Sequence, residues 1–317
     1  MEFICKKTTE LTDDELSQIS VLFESVFQKQ RDKTFFLRQY TNNVLGYSYH
    51  SLIADNDNIV GLNSYIPALF WHNGEQRLFV NSVDSMVAKP YRDFFNYQDM
   101  VETAYQYMSK ENVEFVYGYP NDNAYPVLMR SKLMKEIGSM RIYCLPYRVG
   151  GIKSKLKVLD IGSRLFSRCA VELCRLFASK EEKDFLIHKD IESYNQTRYL
   201  RADADYRVIG NKTHGFVYKV IMFDGIRSAF LIDVYPKSSK IFNTAIRYIL
   251  KTEKANFDLL LYVGHLPFKN TGLLKLPIRM EPKKFHFMGK ALNPTLDGDE
   301  LFQIVNWDTN LSNYDLI

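Results

Sequence analysis

An acid on a predicted strand and a charged loop just after it are the residues in this sequence whose types and spacing could do chemistry. Asp84 lies within the strand-like run Gln76–Val87, and a carboxylate that faces a cleft can act as a general base. A carboxylate that faces away would instead be a structural acid, capping a turn or pairing with Arg92. The loop 91–96 precedes a predicted helix, and a guanidinium near a helix N-terminus can hold phosphate oxygens.

The cysteines and histidines form no recognisable metal or disulfide pattern. The four cysteines include no C-x-x-C pair, and the six histidines are scattered without i,i+4 spacing. Zinc sites need ligands at such close spacings. We therefore expect no metal, and we interpret the cysteines as buried free thiols.

The composition predicts two hydrophobic cores of ordinary size and no membrane span. The chain has 317 residues, 46% of them apolar, which suffices for two domains of roughly 100–200 residues each. No apolar run approaches the about 18 uncharged residues of a membrane span, and Glu2, Lys6 and Lys7 interrupt any signal-like start. These features predict a cytoplasmic protein, and the net charge of only +4 predicts no DNA partner.

The positive charge is concentrated in one segment. Residues 151–189 contain nine Lys and Arg against five Asp and Glu. This pattern is typical of a solvated helix face, and it also fits a surface for an anionic substrate or a membrane. The sequence leaves these alternatives open.

The elements that must position Asp84 alternate between strand and helix periodicity. Thr12 and Glu15 form a capping-box pattern that begins the first helix. In chain order, periodicity predicts a strand Phe3–Lys7, helices over 12–26 and Phe35–Tyr40, strands Leu52–Asp55, Ile59–Phe70 and Gln76–Val87, a helix Tyr97–Met108, a strand Phe115–Tyr119, a helix Ala124–Leu133 and a closing strand pair within Met134–Pro146. The first half therefore combines an antiparallel meander with one βαβ crossover.

The second half repeats this style more loosely. An amphipathic helix is predicted over 160–178, with its apolar face formed by Ile161, Leu165, Cys169, Leu173, Leu176 and Phe177. Strands around 207–234, a helix Ile241–Thr252, a strand near Asp258–Val263 and a terminal strand around Leu301–Val305 follow. We predict an α/β protein of α+β mixed-sheet type, with one domain over 1–149, a linker over 150–159 and a second domain over 160–317.

Two segments of the first half resemble the GNAT acyltransferase family. Asn81–Met108 resembles the family's fourth strand, pyrophosphate loop and third helix, and Tyr117–Tyr143 resembles its fifth strand, fourth helix and closing hairpin. The sequence is similar above all to tandem GNAT proteins that acylate amino-sugars and other small amines. The resemblance implies two GNAT-like domains in tandem, of which the second is degenerate, and a sheet that splays between its fourth and fifth strands.

The resemblance also implies an acetyl-CoA or other acyl-CoA cofactor. A bulged fourth strand would pair through Ser85, Met86 and Val87 with the pantetheine arm. The pyrophosphate would lie on the loop and helix start formed by Tyr91, Arg92, Asp93, Phe94, Phe95 and Asn96. This loop lacks the glycines of the family pattern Q/R-x-x-G-x-G/A, so we predict weak binding that depends on Arg92 and on the amides of Tyr91–Asn96.

For the reaction, the resemblance implies a base and an acid. Asp84 would deprotonate the amine before it attacks a thioester. The family's tyrosine acid corresponds to Leu128 here, which leaves Tyr125 as a substitute. Asn121 either caps the fourth helix or contacts the bound cofactor or substrate.

The predicted function is an acyl-CoA-dependent N-acetyltransferase acting on a small amine, such as a nucleotide-linked and hence anionic amino-sugar. Two alternatives remain open. A non-catalytic GNAT-derived binding or scaffold protein fits the glycine-free loop. A Fem-type aminoacyl-tRNA-dependent peptidyltransferase also joins two GNAT domains, but it would need a broad basic surface, and only residues 151–189 are basic.

Overall fold

The computed structural model describes residues 1–200, 205–254, 256–269, 271–296 and 298–314. The chain forms two compact units that interleave along the sequence. Unit 1 comprises Met1–Gly138, Leu186–Arg198 and His286–Asn306; unit 2 comprises Ser139–Phe185, Tyr199–Phe285 and Trp307–Ile317. The predicted linker 150–159 lies within unit 2, and the predicted domain boundary stays a prediction.

The strands and helices follow one another in mixed order. The strands are β1 (Glu2–Lys7), β2 (Tyr49–Asp55), β3 (Asn58–His72), β4 (Glu75–Val87), β5 (Phe115–Gly118), β6 (Lys135–Pro146), β7 (Ile187–Lys189), β8 (Arg207–Gly210), β9 (Gly215–Phe223), β10 (Ile226–Tyr235), β11 (Leu259–Gly264), β12 (Leu274–Lys275) and β13 (Phe285–Ala291). The α-helices are α1 (Asp13–Phe27), α2 (Lys33–Thr41), α3 (Phe94–Lys110), α4 (Ala124–Ser131), α5 (Val149–Ile152), α6 (Asp160–Leu176), α7 (Ile191–Tyr194) and α8 (Ser239–Thr252).

Unit 1 contains a mixed sheet with the neighbour order β1-β2-β3-β4-β5-β13. The first four strands form the predicted antiparallel meander. The α3 crossover then places β5 parallel to β4, from the pair Phe79 and Phe115 to the pair Ser82 and Gly118. This arrangement confirms the predicted neighbouring parallel strands, which separate beyond Ser82.

Helices α1 and α4 begin where the sequence predicts, whereas α2 begins two residues and α3 three residues earlier, at Lys33 and Phe94. Thr12 and Glu15 form a reciprocal capping box at the start of α1, and Asp93 caps α3 by accepting a hydrogen bond from the Asn96 amide. The apolar face of α3 is buried against the sheet, because Met100, Val101, Ala104, Tyr105 and Met108 recur at helical spacing.

Unit 2 contains a second mixed sheet, in the order β6-β11-β10-β9-β8. Strands β9 and β10 are antiparallel, with a register shift between Leu231 and Asp233. Helix α8 then returns the chain to β11, which is parallel to β10. Unit 2 therefore repeats the bulged hairpin, crossover helix and parallel strand of unit 1, which is consistent with two GNAT-like domains.

Three sequence predictions on structure were wrong. The closing strand pair within Met134–Pro146 is one continuous strand, β6, and the antiparallel neighbour of β5 is β13, from far along the chain. The predicted terminal strand around Leu301–Val305 is formed by two short 3-10 turns. Cys144 is buried as predicted, but Cys169 is exposed, because α6 turns its apolar face outward.

Within the described residues, none of the helices combines the length and the apolar character needed to cross a membrane.

Candidate active site

A β-bulge in β4 is the geometric centre of the candidate site. Leu62 of β3 pairs with Met86, whereas Ser64 pairs with Val83, so two residues of β4, Asp84 and Ser85, face one residue of β3. Asp84 has a left-handed φ of 49°, a conformation that asparagine and aspartate tolerate better than most residues. The bulge therefore redirects the Asp84 side chain.

The Asp84 carboxylate is held by three side chains from the segment 31–40. Its Oδ2 accepts hydrogen bonds from Gln39 Nε2 at 2.7 Å and from Tyr40 Oη at 3.0 Å. Arg31 Nη1 lies 3.9 Å from the other oxygen, and the Asp84 side chain is 11% exposed. Burial raises the pKa of Asp84, and Arg31, Tyr40 and Gln39 counteract part of that rise.

Sequence reasoning did not identify Arg31, Gln39 and Tyr40 as site residues. Gln39 and Tyr40 lie on a short predicted helix, and a buried polar residue next to a buried aromatic one is a weak signal for such a contact. Arg31 precedes the helix and lies over the rings of Phe23 and Phe35. One alternative from the sequence was that Asp84 pairs with Arg92. In the structure, Gln39, Tyr40 and Arg31 surround the Asp84 carboxylate instead.

The strand edge beyond the bulge is open toward β5. The ladder between β4 and β5 ends at Ser82 and Gly118, whereas β4 continues to Val87. Ser85 is exposed, and the side chains of Met86 and Val87 are buried. The backbone of 83–87 therefore runs past the end of its parallel partner, as an added extended segment would require.

The loop after β4 differs from a glycine-rich phosphate cradle. Residues Lys89–Tyr91 form a 3-10 turn, and the amides of Tyr91, Arg92 and Asp93 donate to carbonyls of the same loop. The Asn96 amide donates to the Asp93 carboxylate at 2.8 Å. Four amides of the predicted pyrophosphate loop are thus already hydrogen-bonded within it.

The side chains of Arg92, Phe94 and Phe95 are exposed at the start of α3. Arg92 Nε donates to the Val87 carbonyl at 2.7 Å, which positions the guanidinium beside the open edge of β4. Phe94 and Phe95 meet edge to face at 5.7 Å. The start of α3 therefore presents one exposed positive charge and two exposed aromatic rings next to the end of β4.

The predicted acid and the residue at the family's acid position lie on α4. Tyr125 stacks on His286 with ring centroids 3.7 Å apart. Partial burial and a hydrogen bond to Glu136 raise the pKa of Tyr125. Leu128 is buried in the core, so it has no chemical role, and the role of Tyr125 stays a prediction.

Asn121 caps α4 through its side chain. Its Oδ1 accepts from the amides of Asn123 at 3.0 Å and Ala124 at 2.9 Å. This is the capping alternative of the two that the sequence left open. A contact with cofactor or substrate stays a prediction.

The bulge of unit 2 also carries an aspartate, but its surroundings differ. Asp233 is fully buried and accepts hydrogen bonds from Tyr199 Oη at 2.7 Å, Asn310 Nδ2 at 2.7 Å and the Val234 amide at 2.9 Å. A carboxylate that is buried from solvent and accepts several hydrogen bonds from the protein has a structural role. Asp84 is the better placed of the two for chemistry.

Across the part of the chain that the structure describes, no cluster of three or more His, Cys, Asp or Glu side chains is placed to hold a metal ion.

Residues 7–130 match the family model of the acetyltransferase (GNAT) domain. Solved structures with a similar fold include a probable N-acyltransferase from Enterococcus faecalis V583, with TM-score 0.57, 10% identity, and coverage of 92% of this chain and 73% of that one. A GCN5-related N-acetyltransferase from Anabaena variabilis has TM-score 0.57, 12% identity and the same coverages. No curated protein sequence matches the chain.

A further similar structure is the Saccharomyces cerevisiae N-myristoyltransferase with bound myristoyl-CoA and inhibitors, with TM-score 0.54, 10% identity, and coverage of 90% of this chain and 79% of that one. Identities this low establish a shared fold and nothing finer. The mixed α/β fold predicted from the sequence is confirmed, and the fold and the matched domain together suggest acyl-CoA-dependent N-acyltransferase activity.

Proposed function

We propose, from the premise that residues 7–130 form a GNAT acetyltransferase domain, that this protein transfers an acyl group from acyl-CoA, most simply acetyl-CoA, to a small amine. The observation that carries the proposal is the bulge at Asp84 and Ser85, next to a strand edge that β5 leaves open. The bulge brings a partly desolvated carboxylate to the edge where an acyl donor would lie.

Asp84 acts as the general base in this proposal. An ammonium group cannot attack a thioester, so the amine must lose a proton first, directly to the carboxylate or through water. Burial raises the pKa of Asp84, which makes it a stronger base than an exposed aspartate. The hydrogen bonds from Gln39 and Tyr40 keep the acceptor oxygen in place.

The open edge of β4 supports binding of the extended pantetheine arm of coenzyme A more than the loop after β4 supports binding of the diphosphate. Bound acyl-CoA would supply the thioester that is attacked. The backbone of Ser85, Met86 and Val87 would hold the arm. Arg92 would hold the diphosphate, since the amides of Tyr91, Arg92 and Asp93 are hydrogen-bonded within the loop, and Tyr125 would serve as the acid.

We propose a nucleotide-linked amino-sugar as the acceptor class. Its support is the resemblance of Tyr117–Asn121 and the following helix to tandem GNAT proteins that acylate such amines. Arg31 adds positive charge beside the base, with its Nη1 atom 3.9 Å from Asp84 Oδ1. Positive charge there favours an acceptor that carries phosphate.

A non-catalytic binding protein is the second candidate function. The observation that favours it is the glycine-free loop, whose amide N–H groups donate to carbonyls of the same loop and cannot all turn to a diphosphate without breaking those bonds. In this alternative the bulge is a retained fold feature and Asp84 is a buried structural acid.

Release of free thiol from acetyl-CoA, measured with a panel of amines and UDP-linked amino-sugars, tests the proposed function. We expect Asp84→Asn to lower kcat by about 100-fold or more, with the matched exposed variant Asp99→Asn unchanged. The rate of the wild type should fall as the pH decreases through the pKa of Asp84, because the base becomes protonated. Asp84→Asn should lose this acidic limb.

A folded Asp84→Asn protein with undiminished activity would show that Asp84 is structural. The absence of turnover with every acceptor, together with the absence of coenzyme A binding, would favour the binding-protein alternative.

A further inference from the structure

Helix α6 packs on unit 2 through its small and polar residues. Ser163 Oγ and Ser167 Oγ each donate at 3.0 Å, to the carbonyls of Tyr147 and Pro146 respectively. Val171, 1% exposed, belongs to the core cluster of the unit. These residues recur at i, i+4 and i+8, so they define the face that the protein covers.

The large apolar residues of α6 lie on the opposite face and are exposed. Exposed fractions are 80% for Ile161, 64% for Leu165 and 66% for Phe166. Leu173 and Leu176 are also exposed, and so are Val158 and Leu159 in the turn before the helix. On a helical wheel of 3.6 residues per turn, Ile161, Leu165, Phe166, Leu173 and Leu176 occupy one arc of about 140°. Glu172 is the charged residue within this arc. Soluble monomers rarely expose a contiguous apolar surface of this kind.

Positive charges lie on one flank of this arc and at its two ends. The segment 153–180 contains seven basic residues, Lys153, Lys155, Lys157, Arg164, Arg168, Arg175 and Lys180. Its two acids are paired with arginines: Glu172 contacts Arg175 at 2.8 Å and Arg247 at 2.5 Å, and Asp160 lies 4.0 Å from Arg148. The exposed surface is therefore apolar along the arc and positive on one flank, where Arg164, Arg168 and Arg175 lie, and at its two ends.

We propose that α6 and the preceding turn 153–159, together called the basic apolar helix, bind the surface of an anionic membrane. A helix with this distribution lies in the interfacial plane, with its apolar side chains among the acyl chains and its cations at the headgroups. The 17-residue α6 is too short and too charged to span a bilayer.

Charge complementarity selects this partner over a second copy of the chain. In a symmetric pairing, the basic apolar helix would face its own copy, and like charges at close range oppose association. Anionic lipids supply both an apolar layer and the opposite charge. This inference is independent of the proposed acyltransferase activity, since it uses none of the residues of the β4 cleft.

Co-sedimentation with vesicles tests the proposal. We expect the full-length protein to bind vesicles of equal parts phosphatidylcholine and phosphatidylglycerol, and not vesicles of phosphatidylcholine alone. Binding should weaken as salt rises, because salt screens the attraction to the headgroups. A spin without vesicles measures aggregation.

Four variants separate the contributions of apolar and charged residues to binding. Leu165→Ser with Phe166→Ser should weaken binding by about tenfold or more, and each cation removed in Lys153→Gln, Lys155→Gln and Lys157→Gln should weaken it on the order of fivefold. Val21→Ser, at a residue 69% exposed on α1, is the matched control and should bind as wild type does. Phe166→Trp should show a blue-shifted emission with anionic vesicles only.

Binding that is absent, or that the Leu165 and Phe166 substitutions leave unchanged in a folded protein, would overturn the proposal. Analytical ultracentrifugation tests the alternative that the chain dimerises through this face. A dimer that the same substitutions dissociate would show that a second copy covers the helix and would overturn the proposal.

Discussion

Helices α3 and α6 have the same length and opposite packing. Each has 17 residues and an apolar face with helical spacing. Helix α3 buries that face, including Met100, Ala104 and Met108. Helix α6 exposes it and buries Ser167 and Val171 instead. Periodicity therefore shows which residues share a face of a helix, but it does not show which face the protein covers.

The N-terminal ends of the two helices also differ. Asp93 caps α3 with a hydrogen bond to the Asn96 amide at 2.8 Å, and an Asx cap of this type stabilises a helix. At α6 the corresponding residue is Leu159, with no capping side chain, after an exposed 3-10 turn. The start of α3 is therefore stabilised by a cap from its own sequence, whereas the first turns of α6 are held by serine contacts with the carbonyls of Pro146 and Tyr147.

The largest expected difference between the two helices is in the loss of stability when an apolar side chain is shortened to alanine. Met100→Ala on α3 should lower the free energy of unfolding by about 2–5 kcal/mol, because a fully buried side chain leaves a cavity. Leu165→Ala on α6 should change it by less than about 0.5 kcal/mol, since the residue is exposed. Urea unfolding of the two variants and the wild type measures both, and a loss above about 1.5 kcal/mol for Leu165→Ala would show that the helix is covered.

Removing a cap should have a smaller effect. Asp93→Ala should destabilise the protein by about 1 kcal/mol, because the Asn96 amide loses its acceptor. Leu159→Ala, at the same position of α6, should be close to neutral. Equal losses at both positions in urea unfolding would refute the difference described for the helix ends.

The smallest effects concern single hydroxyl groups. Ser167→Ala should cost about 0.5–1.5 kcal/mol, because its hydrogen bond to the Pro146 carbonyl is buried. Thr103→Ala should be within about 0.5 kcal/mol of wild type, since Thr103 lies on the exposed face of α3 and bonds only to the carbonyl of Asp99. Thermal melts of both variants test this comparison, and a neutral Ser167→Ala would mean that the serine face does not hold α6.

The parts of the fold that depend on local pattern could be predicted from the sequence. The Thr12 capping box, the meander that ends in β4 and the α3 crossover to β5 all arise from residues within one or two elements of each other. Candidate residues around Asp84 also followed from the family resemblance, which depends on the order of those same elements.

The parts of the fold and of the site that depend on contacts between distant residues could not be predicted from the sequence. The neighbour of β5 is β13, whose short run begins at Phe285, and nothing in either strand specifies the other. The contacts of Gln39 and Tyr40 with Asp84 join residues more than 40 positions apart. The amphipathic pattern of α6 did not show that its apolar face points outward, because an apolar arc is the same pattern whether protein or another surface covers it.

Calorimetric titration with coenzyme A tests the central claim, that the cleft beside the β4 bulge binds an acyl-CoA. We expect the wild type to bind, Arg92→Ala to bind about tenfold more weakly or worse, as for the loss of a charge-assisted contact worth roughly 1.5–3 kcal/mol, and the exposed control Arg279→Ala to match wild type. Asp93→Gly should bind more tightly, because it removes a negative charge beside the diphosphate. If neither the wild type nor Asp93→Gly binds at millimolar ligand, the acyltransferase proposal is contradicted.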